Sequence, residues 1–147
     1  MQNTTQETTV ATLNGFLRGE ISAVETYRQA LDKLQSSPSR MELEECRRSH
    51  AQRVERLRQE VVRLGGTPEE DSGAWGAFAK LVEGSAKVFG EKAAIYALEE
   101  GEDHGLKLYR DEMGKLDPTA RSVIESEVLP AQERTHQSLS TLKHSLH

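Results

Sequence analysis

Residues 18–28 read RGEISAVETYR and residues 100–110 read EGEDHGLKLYR. Laid over one another, they share Gly-Glu and Tyr-Arg at the same offsets, with Val24 opposite Leu106 between. In both, the glutamate interrupts an apolar stripe. Leu17 and Val24 flank Glu20, and Leu98 and Leu106 flank Glu102, at the three- and four-residue steps of a buried helix face. Both carboxylates are therefore expected to point inward. The preceding glycines, Gly19 and Gly101, each cost a helix interior about 1 kcal/mol relative to alanine, which implies a need for space beside the carboxylate.

Working outward, the same periodicity defines four long segments. Thr4 with Glu7 has capping-box spacing, and Leu13, Phe16, Leu17, Val24, Tyr27, Leu31 and Leu34 follow in phase. Pro38 suits a first helical position, Ser39 with Glu42 offers a second capping box, and Leu43, Cys46, Val54, Leu57, Val61 and Leu64 form the next stripe, which Gly65-Gly66 ends. Ile95, Leu98, Leu106, Tyr109, Met113 and Leu116 make a third. Asp117-Pro118 closes it and caps a fourth, carried by Ile124, Val128, Ala131, Leu139, Leu142 and Leu146. Pro130 predicts a kink in that last helix.

Short turns between the first and second and between the third and fourth segments predict two antiparallel hairpins. Helices of this length are roughly 40 Å long, and residues 66–90 are enough to span that distance as a crossover carrying a short helix around Trp75, Phe78, Leu81 and Val82. The fold class expected is all-α: one antiparallel four-helix bundle domain over residues 1–147, with a long crossover favoured over a plain up-down-up-down order that the sequence also permits.

Composition bounds the function. A net charge of −5 without any Lys/Arg cluster argues against a nucleic-acid surface, and no apolar run approaches the ~20 residues of a membrane span. Cys46 is the single cysteine, so no intrachain disulfide forms, and MQNTTQETTV has neither the basic start nor the apolar run of a signal peptide. A cytoplasmic protein is expected.

Two further polar intrusions stand on the second and fourth segments. His50 falls between Cys46 and Val54, and Glu133-Arg134-Thr135-His136 puts a carboxylate and an imidazole one turn apart. Aligning His50 with His136 sets Arg47 opposite Glu133. Counted from Asp117-Pro118, Glu102 and Glu133 fall at similar depth.

Inward glutamates on helices one and three with Glu-x-x-His on helices two and four are the signature of the ferritin-like di-iron carboxylate bundles, which this chain resembles with Arg47-x-x-His50 on its second helix and Glu133-x-x-His136 on its fourth. Gly-Glu-x-x-Ala-x-x-x-Tyr at residues 19–27 and His-Ala-x-Arg at 50–53 are similar to rubrerythrin. The layout as a whole, with Leu-Gly-Gly-x-Pro after the second helix and a Trp-containing crossover, resembles a narrower family of small bacterial ferritin-like proteins of unassigned function.

The resemblance implies that Glu20, His50, Glu102, Glu133 and His136 stand where metal ligands would, for one or two iron or other divalent ions. Arg47 takes the sixth place, a guanidinium that keeps its proton where a fourth carboxylate would be. Glu99, one turn before Glu102, is a substitute ligand, and Tyr27 and Tyr109 would donate hydrogen bonds around the centre. A metal-free core, with Arg47 paired to Glu20 or Glu102 and both histidines protonated, satisfies the same residues. Cys46 reads as packing rather than as a thiolate ligand, and His104, His144 and His147 as surface residues.

Two functions compete. One is an iron-dependent oxidase or peroxide-reducing protein, with electrons supplied from elsewhere because the chain has no cysteine-based electron-transfer site. The other is a metal-free scaffold serving as a stress or protein-interaction module, with Trp75, Phe78 and Leu81 as the contact patch. A homodimer is expected from the superfamily resemblance.

Overall fold

A computed structural model describes residues 4–72 and 90–146. The described residues are helical, without strands. Helix α1 covers Thr4–Lys33, α2 Arg40–Arg63 and α3 Glu91–Glu112. A 3-10 turn at Met113–Lys115 leads to α4, Pro118–Val123, which continues through a π-helical turn at Ile124–Val128 into α5, Leu129–Ser145. The fourth predicted helix is thus one stretch in three pieces. The expected crossover helix and the Trp75, Phe78, Leu81 patch lie outside the described residues.

The helix ends follow local chemistry. Asp117 accepts a hydrogen bond from the Ala120 N–H at 2.8 Å, with Pro118 at the first helical position. After α2, Gly65 takes φ 77°, its N–H reaching Val62 O and that of Gly66 reaching Val61 O, which satisfies two orphan carbonyls. The predicted Ser39 cap does not form. Helix α2 begins at Arg40, and the Ser39 hydroxyl donates instead to Glu91 Oε1 at 2.7 Å, joined there by Ser37 at 2.6 Å. This ties the α1–α2 turn to the start of α3.

Pro130 produces a π turn where a kink was expected. Proline has no N–H to donate to Ser126, and the wider turn just before it takes up the mismatch, closed by the Leu129 N–H on Ile124 O.

Contacts between helices fix their order. Gln6 reaches Leu64, Glu20 reaches His50, Tyr27 reaches Glu102, Tyr109 reaches Glu20, and Lys143 reaches Glu99 while Thr135 reaches Glu102. Within each of the pairs α1–α2, α1–α3 and α3–α5, residue numbers rise on one helix as they fall on the other. Residues 64–72 run back along α1, from Gln6 through Asn14 and Arg18 to a Ser72–Glu25 contact of 3.3 Å.

The interior has three layers. One apolar cluster gathers Leu13, Phe16, Leu17, Leu57, Val61, Ile124 and Val128; another gathers Ala30, Leu31, Leu43, Cys46, Ile95, Leu98 and Leu139. Between them lies a layer of buried polar and charged side chains.

Candidate functional site: a buried ion-pair layer

His50 stands at the centre of this layer. Its Nδ1 meets Glu20 Oε1 and its Nε2 meets Glu102 Oε2 at 2.7 Å, so the imidazole bridges the carboxylates of α1 and α3. Both ring nitrogens can donate only if the ring is protonated. Burial pushes the His50 pKa down, but the Glu102 and Glu20 carboxylates outweigh it and hold the imidazolium above its usual range. Tyr27 lies stacked against the ring at 5.3 Å.

The second positive charge is Arg53, one turn beyond His50 and 3% exposed. Its Nη1 reaches Glu20 Oε2 at 3.3 Å and also Gln132 Oε1, while Nη2 reaches Thr135 Oγ1 at 3.0 Å and Ser49 Oγ at 3.1 Å. Gln132 passes the link on, its Nε2 donating to Glu102 Oε1 at 3.0 Å and to the Glu102 carbonyl at 2.9 Å; Thr135 donates to Glu102 Oε1 at 2.7 Å. Tyr27 donates to Glu102 Oε2 and Tyr109 to Glu20 Oε2. All four carboxylate oxygens are therefore engaged. For Glu20, burial raises the pKa, yet Arg53 and His50 bring it down to about 2; for Glu102 burial is likewise outweighed, by His50 first.

Glycine makes room for this geometry. A Cβ on Gly105 would come within 2.8 Å of Gln132 Nε2, so the amide approaches the α3 backbone only because that position carries no side chain. Beside the layer, a cavity of about 40 Å³ between α1 and α3 is lined by Gly19, Gly101 and Gly105 together with Glu20, His50 and Glu102. The two stripe glycines thus border space next to the carboxylates.

Of the residues singled out from sequence, Glu20, His50, Glu102, Tyr27 and Tyr109 come together here. The other expected members do not. Glu133 points outward, its side chain 51% exposed and 3.5 Å from Arg110; His136 is partly exposed and pairs with Asp103, with Glu99 3.8 Å away. The face of α5 that meets the layer carries Ala131, Gln132, Thr135 and Leu139, one residue out of phase with the Glu133-x-x-His136 reading. Arg47 turns aside to Glu44, one turn back on α2, and leaves the core to Arg53. Glu99 is bound by Lys143 at 2.9 Å. Cys46 is buried in an apolar cluster, where burial and then Glu102 push its thiol up to about 12; His104 and His144 are exposed.

Gln132 and Thr135 were missed, and Arg53 entered only as the end of the His-Ala-x-Arg motif and not as a member of the site, although the phase contained all three. Cys46, His50, Arg53 and Leu57 follow one another by four, three and four residues, as do Val128, Gln132, Thr135 and Leu139.

A family described as Domain of unknown function (DUF2383) matches residues 8–115. The chain belongs to that family. Neither a curated protein nor a solved structure matches it. The DUF2383 match holds every charged member of the layer and ends before Gln132 and Thr135.

The layer of this DUF2383 chain does not fit a pair of divalent ions. With His50 protonated, two carboxylates face a guanidinium and an imidazolium and the layer is neutral without a metal, while the imidazole stands between Glu20 and Glu102. Among the described residues, three ligand atoms within 4.8 Å of one another occur at Glu99, Asp103 and His136, outside this layer. There buried Glu99 is already paired with Lys143 at 2.9 Å, while Asp103 is exposed and His136 partly so.

Proposed function

We propose that this chain is a ferritin-like antiparallel four-helix bundle with a metal-free centre, acting as a scaffold for contacts with other proteins or a second copy of itself rather than as an oxidase. The opposed numbering in the three helix pairs supports the ferritin-like arrangement, because it sets α2 and α3 in the same direction and so requires a connection that travels the length of the bundle. The course of residues 64–72 along α1 agrees with that path.

The observation that carries the metal-free reading is the His50 bridge. An imidazolium whose two N–H groups both donate to carboxylates has no lone pair for a metal. Elemental analysis of protein purified without chelators or a histidine tag from iron-supplemented cells tests it. Metal well below one ion per chain is expected. A stoichiometric ion that disappears in Glu102→Gln overturns the reading and returns the chain to the iron-dependent oxidase or peroxide-reducing class. Sedimentation of the same sample tests the expected dimer, and fractionation of the source cells the cytoplasmic location. Among the described residues, no helix is long and apolar enough to cross a membrane.

A further inference from the structure

We infer that Arg53 replaces the metal in this bundle, and that Gln132 and Thr135 are the neutral counterparts of a ligand pair. The inference rests on the metal-free reading above and assigns the residues responsible for it.

Arg53 binds side chains from α1, α2 and α5, and through Gln132 and Thr135 it is linked to Glu102 on α3. One guanidinium therefore connects all four long helices, with directional bonds and a fixed charge. The residues around it match that cation rather than an ion of higher charge. Gln132 accepts from Arg53 with its carbonyl and donates to Glu102 with its amide, a double role that a carboxylate at the same place could not fill. Thr135 likewise accepts from Arg53 and donates to Glu102. Their three-residue spacing is that of a Glu-x-x-His pair, on the face of α5 that points at Glu102.

The substitutions are thus coupled. With Arg53 in place, a glutamate at 132 would face Glu102 without a hydrogen to share. With Arg53 removed and Gln132→Glu and Thr135→His introduced, three carboxylates and two imidazoles face one another in a net-negative core, a donor set for divalent ions such as Co²⁺. Arg53 is the residue that decides between these two states.

Three full-length, tag-free proteins test this with Co²⁺ as the probe: the natural chain, Gln132→Glu/Thr135→His with Arg53 retained, and Arg53→Met/Gln132→Glu/Thr135→His. Equilibrium dialysis, the visible cobalt spectrum and thermal melting are the readouts. The natural chain and the double variant are expected to bind no Co²⁺ in the core. The triple variant should bind at least one per chain, show ligand-field bands, and melt about 5–10 °C higher at a hundredfold excess over Kd.

Equal Co²⁺ uptake by the double and triple variants overturns the role given to Arg53. So does a folded triple variant that binds none. If the triple variant is unfolded alone, Co²⁺ should refold it from urea, and failure to do so also overturns the inference. Uptake by the natural chain that is lost in Glu102→Gln sinks the metal-free reading itself, an outcome distinct from the others.

Discussion

Tyr109 of α3 donates its hydroxyl hydrogen to Glu20 of α1, and Tyr27 of α1 returns the same bond to Glu102 of α3. Each glutamate lies seven residues before the tyrosine on its own helix, so the repeat read in the sequence becomes a reciprocal pair of bonds across the interface. The opposite directions of the two helices make this possible. A tyrosine two turns after its own glutamate meets the other glutamate only if the partner helix runs the other way.

Removing either hydroxyl leaves a buried carboxylate one donor short. Tyr27→Phe and Tyr109→Phe should each lower stability by about 1.5–3 kcal/mol, the range for hydrogen bonds to charged groups, as measured by urea denaturation. Losses below about 0.5 kcal/mol would place both rings in the ordinary range of surface substitutions.

Stability should fall on both sides of neutral pH. Glu20 titrates near 2 in the folded chain against an ordinary value of 4.5, so its contribution is complete above 4.5 and is lost as pH falls toward 2. His50 titrates above its ordinary 6.5 when folded, so its contribution is complete below 6.5 and is lost as pH rises through the folded value. Urea midpoints across pH read both limbs. An alkaline side that stays flat would contradict a cationic His50.

The two readings of α5 predict opposite mutational patterns. Thr135→Val takes one partner from Arg53 and one from Glu102, both buried, and should cost about 1–3 kcal/mol. Glu133→Ala and His136→Ala remove exposed or half-exposed ion pairs worth about 0–1 kcal/mol. Thermal melts of the three variants would show the reverse order if Glu133 and His136 faced the core.

Cys46 should be inert while the chain is folded. Its thiol is buried and pushed up to about 12, so almost no thiolate exists at neutral pH. Alkylation followed by mass spectrometry should proceed only in denaturant. Rapid labelling of the native protein would show that the apolar cluster around Cys46 opens.

Much of the architecture was legible because it rests on local chemistry. The Asp117 cap, the Gly65 terminus and the phase of Glu20, His50 and Glu102 are properties of a few neighbouring residues, and each stands in the structure as the pattern requires. Ser39 shows where local chemistry loses: its hydroxyl had a competing partner in Glu91, 52 positions away, invisible at the level of a cap motif.

The sequence by itself determined that carboxylates, an imidazole and tyrosines enter the interior at matched places on the first three long helices. What only the tertiary structure decided is which cation compensates them. Periodicity places a side chain on a face of its own helix, but ion pairing depends on which groups lie opposite at the same depth on other helices. Arg53 and Arg47 are both arginines one turn from His50, and only the approach of Glu20, Gln132 and Thr135 from α1 and α5 makes one of them part of the core and leaves the other to Glu44.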